Sequence, residues 1–239
     1  MLSIIVPTLN EEDYLPNLLN SLEQQTYQDF EVIIADADST DRTKEIAQRY
    51  GAKIVKGGIL TVGRNNGAKV AKGKLLLFLD ADVLIEPNFI DKAIKEFNRR
   101  NLDMASFYFN KKVDNINSKI IYHLADASKK VRQYTRYPDG SGGCLLIKKN
   151  VFDSVKGFNE KAIYGEDVEF LRRVVKKGYK YKVINLNFYA STRRHKNVFL
   201  GKILLSGLIG GITISIGAYG VLKLVEQMYG GWGNHTKKD

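Results

Sequence analysis

The stretch 74-KLLLFLDADV-83 decides how this chain is read. Leu75 to Leu79 form a short apolar run, and the run stops at Asp80 and Asp82. An apolar run of that length, bounded by charge, predicts a strand buried on both faces. Two carboxylates at its end repel each other and are costly to desolvate, so a cation is expected beside them. If the chain stays extended through Asp82, both side chains point to one face. They can then share one hard divalent ion, Mg²⁺ or Mn²⁺, which takes oxygen ligands and leaves room for water and substrate phosphates. A solvated turn is the plainer alternative.

Outward from this strand the pattern alternates. LSIIVPT and FEVIIAD predict strands, as do AKIVKG and the apolar run itself. Between them, Leu15, Leu18, Leu19 and Leu22 recur at helical spacing behind Asn10, a candidate N-cap. Ser39 is a candidate cap for a helix that Gly51 closes, and GRNNGAKVAKG and PNFIDKAIKEFNRR predict two more helices. Strands alternating with helices of this size imply crossover units and a mostly parallel sheet flanked by helices.

The second half is less regular. MASFYF, GGCLLIKK and YKYKVINL predict strands, and GEDVEFLRRVVKKG a helix. In residues 115–137, Ile116, Ile120, Leu124 and Val131 fall near one helical face, with Lys129, Lys130, Arg132 and Arg136 around it. That spacing predicts an amphipathic helix resting on the core; a basic helix lying on anionic lipid is the alternative. Residues 203–222 then carry no charge over twenty positions and include five glycines, with a small-xxx-small pair at Gly207 and Gly211. A stretch of that length can span a bilayer, and membrane attachment is expected.

Composition bounds the rest. The 239 residues can bury a sizeable core, and a net charge of +11 favours anionic partners. The one cysteine, Cys144, excludes an internal disulfide framework and suits a reducing compartment. The N-terminus has no charged leader or cleavage pattern, so no signal peptide is expected.

In an open parallel sheet, ligands bind beyond the carboxyl ends of the strands. Pro7 to Glu11, Asp36, Asp80 and Asp82 all fall at such ends. Asp36 can accept hydrogen bonds from a base or ribose, or cap a turn. Glu166 and Asp167 open a helix, where the dipole favours acids; a carboxylate there can also serve as a general base. Arg193, Arg194, His195 and Lys196 precede the uncharged tail and suit phosphate oxygens or lipid headgroups.

Three stretches in order, IIVPTLNEEDYLPNLLNSLEQQTYQDFEVIIADADSTDRT, GRNNGAKVAKGKLLLFLDADV and GSGGCLLIKKNVFDSVKGFNEKAIYGEDVEF, resemble family 2 glycosyltransferases of the GT-A fold. The resemblance covers about residues 2–195. It implies a Rossmann-like GT-A domain over residues 1–197; the uncharged stretch adds the expectation of a hydrophobic, helical, membrane-associating or transmembrane segment over 198–239. The implied reaction transfers a sugar from a UDP- or GDP-sugar donor to an acceptor, with inversion. Pro7, Thr8, Glu11 and Asp36 would contact the nucleoside, and Arg64 the base or diphosphate. Asp80 and Asp82 would hold the metal, Asp167 would be the base, and Arg193 and Arg194 would meet a diphosphate or phosphorylated acceptor. The chain departs from the common DDGSTD at Ala37 and Asp38, and from the polyprenyl-phosphate synthases in following its Asp-x-Asp with VLIEP.

The intact GED favours a hydroxyl acceptor on a lipid-linked or membrane-proximal glycan, at the cytoplasmic side of the cell membrane. A polyprenyl-phosphate sugar synthase is the alternative. A nucleotidyltransferase would need a glycine-rich triphosphate loop near the N-terminus, which VPTLNEEDYLP does not offer. The +11 charge permits nucleic-acid binding, but no helix-turn-helix, zinc or RNA-binding signature supports it, so no nucleic-acid partner is expected.

Overall fold

A computed structural model of the chain describes residues 1–110, 116–135, 138–140, 142–162 and 165–191. In chain order its elements are β1 (Leu2–Thr8), α1 (Leu15–Glu23), β2 (Phe30–Asp36), α2 (Thr43–Arg49), β3 (Lys53–Lys56), α3 (Leu60–Val70), β4 (Leu75–Leu79) and β5 (Val83–Leu84). There follow α4 (Phe89–Arg99), β6 (Met104–Phe109), α5 (Ile116–Arg132), β7 (Cys144–Lys148), α6 (Lys149–Ser154), α7 (Glu166–Lys176) and β8 (Tyr181–Ala190).

The strands form one sheet in the order β3-β2-β1-β4-β7-β6-β8-β5. Strands β3, β2, β1 and β4 are parallel, as the crossover pattern predicts. In the other half β6 and β8 are again parallel and run with β1–β4, so the sheet is mostly parallel, as expected, with two reversed strands. β7 runs antiparallel to both β4 and β6, and β5 antiparallel to β8. The sheet is mixed because the chain, after β6, returns to the gap beside β4 from the opposite direction.

Period-two alternation sorts the strand residues onto two faces. Leu2, Ile4 and Val6 of β1 and Leu77 and Leu79 of β4 pack under α1, α2 and α4. Ile5, Leu76 and Phe78 pack on the other face under α3, α6 and α7. α3 lies unusually close to the sheet: a Cβ on Gly67 would sit 2.4 Å from Ile5 Cγ2, and one on Gly63 3.3 Å from Pro7 Cβ. The two glycines, one helical turn apart, let the helix backbone settle directly on β1.

Three local expectations change. Asn10 does not cap α1; it adopts a left-handed conformation (φ 53°), and its Oδ1 accepts from Thr40 N at 2.8 Å. Ser39 does not cap α2, whose N-cap is Arg42, because its hydroxyl is committed to Asp36. Most consequentially, α5 is turned inside out relative to the predicted core-facing helix. Ile120, Leu124 and Val131 are 39%, 51% and 68% exposed, while Tyr122, Asp126 and Lys129 are buried. Burying Lys129 is possible because its Nζ lies 3.0 Å from Asp126 Oδ1, donates to Phe107 O at 3.0 Å and sits over the Phe109 ring. The side chain of Ile116 lies outside the described residues, as do residues 198–239. No helix among the described residues is long and apolar enough to cross a membrane.

Candidate active site

The carboxyl ends of β1, β2 and β4 converge on one edge, and β7 begins there because it runs the other way. Leu79 pairs with Cys144, which brings Gly142 and Gly143 beside Asp80. α7 starts at the same edge.

At the β1–β2 end, Thr8 and Asp36 are register partners. Thr8 Oγ1 donates to Asp36 Oδ2 at 2.9 Å, and Ser39 donates to both carboxylate oxygens, N to Oδ1 at 2.9 Å and Oγ to Oδ2 at 2.6 Å. Thr8 and Asp36 are buried, as is Pro7, and Glu11 is nearly so. Further along, the loops zip together: Asn10 N donates to Ser39 Oγ, Glu11 N to Thr43 Oγ1 and Glu12 N to Asp41 Oδ2. Asp38 holds a left-handed conformation (φ 61°) in this loop. Glycine would take that conformation freely, and aspartate is among the few other residues that tolerate it.

Asp80 and Asp82 sit differently from the extended pair predicted. β4 stops at Leu79, and Val83 N donates back to Asp80 O at 3.1 Å, closing a turn over Asp80–Val83. The period-two argument for a shared face therefore does not apply. Both carboxylates remain partly exposed at the edge of the groove.

Beneath them lies Arg64, 1% exposed. Its Nη2 donates to Asp80 Oδ1 at 2.9 Å and to Gly142 O at 3.0 Å, and its Nη1 donates to Glu166 Oε1 at 3.0 Å. Its guanidinium also stacks over Phe158. Burial disfavours its charge, but Asp80, Glu166 and Asp167 more than offset that and hold its pKa above the usual value. Arg64 thus ties the β4 end to α7 rather than lining the groove surface. Its Nε has no hydrogen-bond partner among the described residues.

Asp167 is partly buried; its Oδ2 accepts from Gly142 N at 2.7 Å, and its Oδ1 from its own helix at Val168 N. Burial first, then the charge of Glu166, pushes its pKa up to about 7 against the pull of Arg64. A carboxylate poised there can take a proton near neutrality.

Three acids around one guanidinium leave the edge with surplus negative charge. Among the described residues no three acidic, histidine or cysteine side chains form a cage. Two partly exposed carboxylates in a turn nevertheless fit Mg²⁺ or Mn²⁺, which completes its shell with water and phosphate.

Two site-building residues escaped the sequence. Asn65 pairs with Phe158 in both directions, Nδ2 to O at 2.9 Å and N to Oδ1 at 2.8 Å. That pairing fixes the loop whose phenylalanine underlies Arg64. Gly142 is the other: a Cβ there would lie 3.1 Å from Asp167 Oδ2. The only signal for it was its place in a glycine-rich turn before β7. Arg193, Arg194 and His195 lie outside the described residues.

Residues 3–156 match the family model for glycosyl transferase family 2, and residues 122–196 match one described as the N-terminal domain of galactosyltransferase. The chain is 31% identical over 183 residues to an uncharacterized glycosyltransferase of Haemophilus influenzae, covering 73% of this chain and 62% of that protein. It is 34% identical over 149 residues to the poly(ribitol-phosphate) beta-N-acetylglucosaminyltransferase TarS of Staphylococcus aureus, covering 52% of this chain and 26% of that one. It thus spans less than two thirds of the length of these relatives. Among solved structures, it resembles a mannosyltransferase of Pyrobaculum calidifontis in complex with GDP-Man and Mn²⁺, with TM-score 0.71, 19% identity, and coverage of 90% of this chain and 64% of that one. It also resembles TarS 1-349 in complex with UDP-GlcNAc, with TM-score 0.61, 23% identity, and coverage of 79% and 58%.

Proposed function

Because this chain belongs to glycosyl transferase family 2, whose model matches more than half of it, we propose that it transfers a sugar, with inversion, from a nucleotide-sugar to a hydroxyl acceptor. The observation that carries this reading is Asp167, a carboxyl with a pKa near neutrality, hydrogen-bonded to Gly142 and one residue from the Arg64-bound Glu166.

Asp167 accepts the hydroxyl proton as the acceptor oxygen attacks from the face opposite the departing nucleotide. A single displacement needs no enzyme nucleophile. Arg64 orients Asp80 and Glu166 and sets the spacing between the β4 turn and the base. Thr8, Glu11 and Asp36 stiffen the pocket for the nucleoside. Asp80 and Asp82 would hold Mg²⁺ or Mn²⁺, which supplies positive charge to offset that developing on the leaving diphosphate. The neighbours solved with UDP-GlcNAc and with GDP-Man leave both donor classes to be tried. Arg193 and Arg194 would add phosphate contacts, and the uncharged stretch 203–222 supports an acceptor at the cytoplasmic surface of the cell membrane.

The test is a panel of UDP- and GDP-sugars with Mn²⁺, read by thermal shift and then by transfer to alcohol-bearing and phosphate-bearing lipids. Binding of no nucleotide-sugar would sink the reading. Transfer to the lipid phosphate, at a rate indifferent to Asp167→Asn, would move it to the phosphate acceptor.

A further inference from the structure

The inversion of α5 leaves an apolar face outside. Of the seven exposed large hydrophobic side chains among the described residues, four come from this one segment: Ile120, Leu124, Val131 and Tyr134. The first three fall on one side of the helix by their spacing. The inward side is fully engaged by Lys129, Asp126 and Tyr122, so the outward face is not a misplaced core.

Beside it runs a groove of about 1510 Å³ between α4, α5 and β8. Its walls carry Lys92, Lys95 and Arg99 from α4, Arg100 just after it, and Lys130 from α5. The acids among its lining residues are Glu86, Glu96 and Asp126; Asp126 pairs with Lys129, Glu96 with Arg99 and Arg100, and Lys95 with Asp91 of α4. Lys92 and Lys130 have no carboxylate partner among the described residues. Apolar segment and basic wall adjoin, because Tyr134 is both an exposed apolar side chain and part of the groove's lining.

A third observation places this surface in the chain. The Tyr122 hydroxyl donates to the carbonyls of Ala190 and Ser191, at 3.5 and 3.4 Å. α5 is thus tied to the point from which the sequence runs through Arg193, Arg194 and Lys196 into the uncharged residues 203–222.

We propose that the outward face of α5 and the basic wall beside it form a contact surface for an anionic bilayer. An apolar stripe flanked by lysine and arginine matches acyl chains below a layer of acidic headgroups. The other occupants match less well. A second copy meeting this face about a two-fold axis would set cations against cations. The chain's own residues 203–222 carry no acid to meet them. The surface rests on the membrane part of the proposed function, and would hold the catalytic edge at a set orientation to the lipid.

The test uses the full chain. Cys144 is buried, so Leu124→Cys offers one accessible thiol for an environment-sensitive nitrobenzoxadiazole label. Its emission is expected to be water-like in buffer, and to shift to the blue and be quenched by spin-labelled lipid on phosphatidylglycerol–phosphatidylcholine vesicles. The same label at Glu23→Cys, on exposed α1 surface, is expected to stay water-like. A label at 124 that remains in water while the chain sediments with vesicles overturns the surface but not the membrane reading. Emission already blue in buffer and unchanged by vesicles assigns the face to the tail or a second copy, and also overturns it. Failure to sediment at all removes both. Independently, Leu124→Glu with Val131→Glu is expected to weaken vesicle affinity at least about tenfold, from the loss of two apolar anchors, with nucleotide-sugar thermal shifts unchanged. Unaltered vesicle affinity counts against the surface.

Discussion

Arg64 Nη2 donates to Asp80 Oδ1 at 2.9 Å from a position only 1% exposed, and the same guanidinium reaches Glu166 through Nη1. One buried cation therefore holds two stretches of chain that meet only through the fold. Arg64→Met should cost roughly 3 kcal/mol, since it strips a buried partner from two carboxylates that still keep some solvent. Urea denaturation measures this directly. A loss below about 0.5 kcal/mol, the range of an ordinary surface change, would show that the pair does not hold the site together.

The two aspartates of the β4 turn are tested through the metal. Asp80→Asn removes a charge from Arg64 and should also lower the melting temperature. Asp80→Asn and Asp82→Asn should both abolish the gain in nucleotide-sugar affinity on adding Mn²⁺, read by calorimetric titration. An Asp82→Asn protein whose donor binding still responds fully to Mn²⁺ would remove Asp82 from the metal site.

Asp167 gives a pH signature in both rate and stability. With its pKa near 7, kcat/KM should rise through an apparent pKa near neutrality, and Asp167→Asn should lower kcat by about 10²–10⁴ while donor affinity holds. The stability sign is opposite to that of an ordinary paired aspartate. Between its usual pKa of 3.8 and about 7 the folded state keeps a proton that the unfolded chain has released, so this residue's contribution falls as pH rises. Asp167→Asn, which can still accept from Gly142 N, should therefore raise the melting temperature at about pH 8 more than at about pH 4. Equal shifts at both would mean that Asp167 is not held protonated.

The seat of α3 on β1 is equally exposed to test. Gly67→Ala puts a methyl 2.4 Å from Ile5 Cγ2, inside any real contact, and should cost about 1–3 kcal/mol. Because Arg64 rides on the same helix, donor affinity should fall with stability. Unchanged binding in a destabilised Gly67→Ala protein would separate the helix seat from the site.

The parts of the site legible in the sequence are those that strand ends determine. Asp36, Asp80 and the Glu166–Asp167 pair each break an apolar pattern at a point where the parallel topology places a ligand, so local reading reached them. What it missed depends on distant partners. Asn65 and Phe158 are 93 residues apart and carry no mutual signal until the fold brings them together. The turn at Asp80–Val83 is the plainer of the two readings open at this strand end, since an aspartate after a strand is equally at home in a turn or in extended chain. α5 was misoriented because hydrophobic spacing alone puts Leu124 inward. The deciding term is the Lys129–Asp126 pair, which satisfies both charges against the backbone of β6 and thereby claims the buried side.

The reversed direction of β7 has a further consequence. Parallel strands present their ends at the working edge, and β7 presents its beginning, so the groove is assembled from two stretches of chain with little overlap. The residues that would contact the nucleoside and hold the metal lie before Val83. The base-bearing wall comes from Gly142 onward, and the chain between Phe109 and Gly142 leaves the sheet and returns to it at neighbouring strands. That excursion is a cassette with both ends anchored. Exchanging it between related chains would leave the upstream strand ends at Asp36 and Asp80 and the downstream wall at Asp167 encoded as they are.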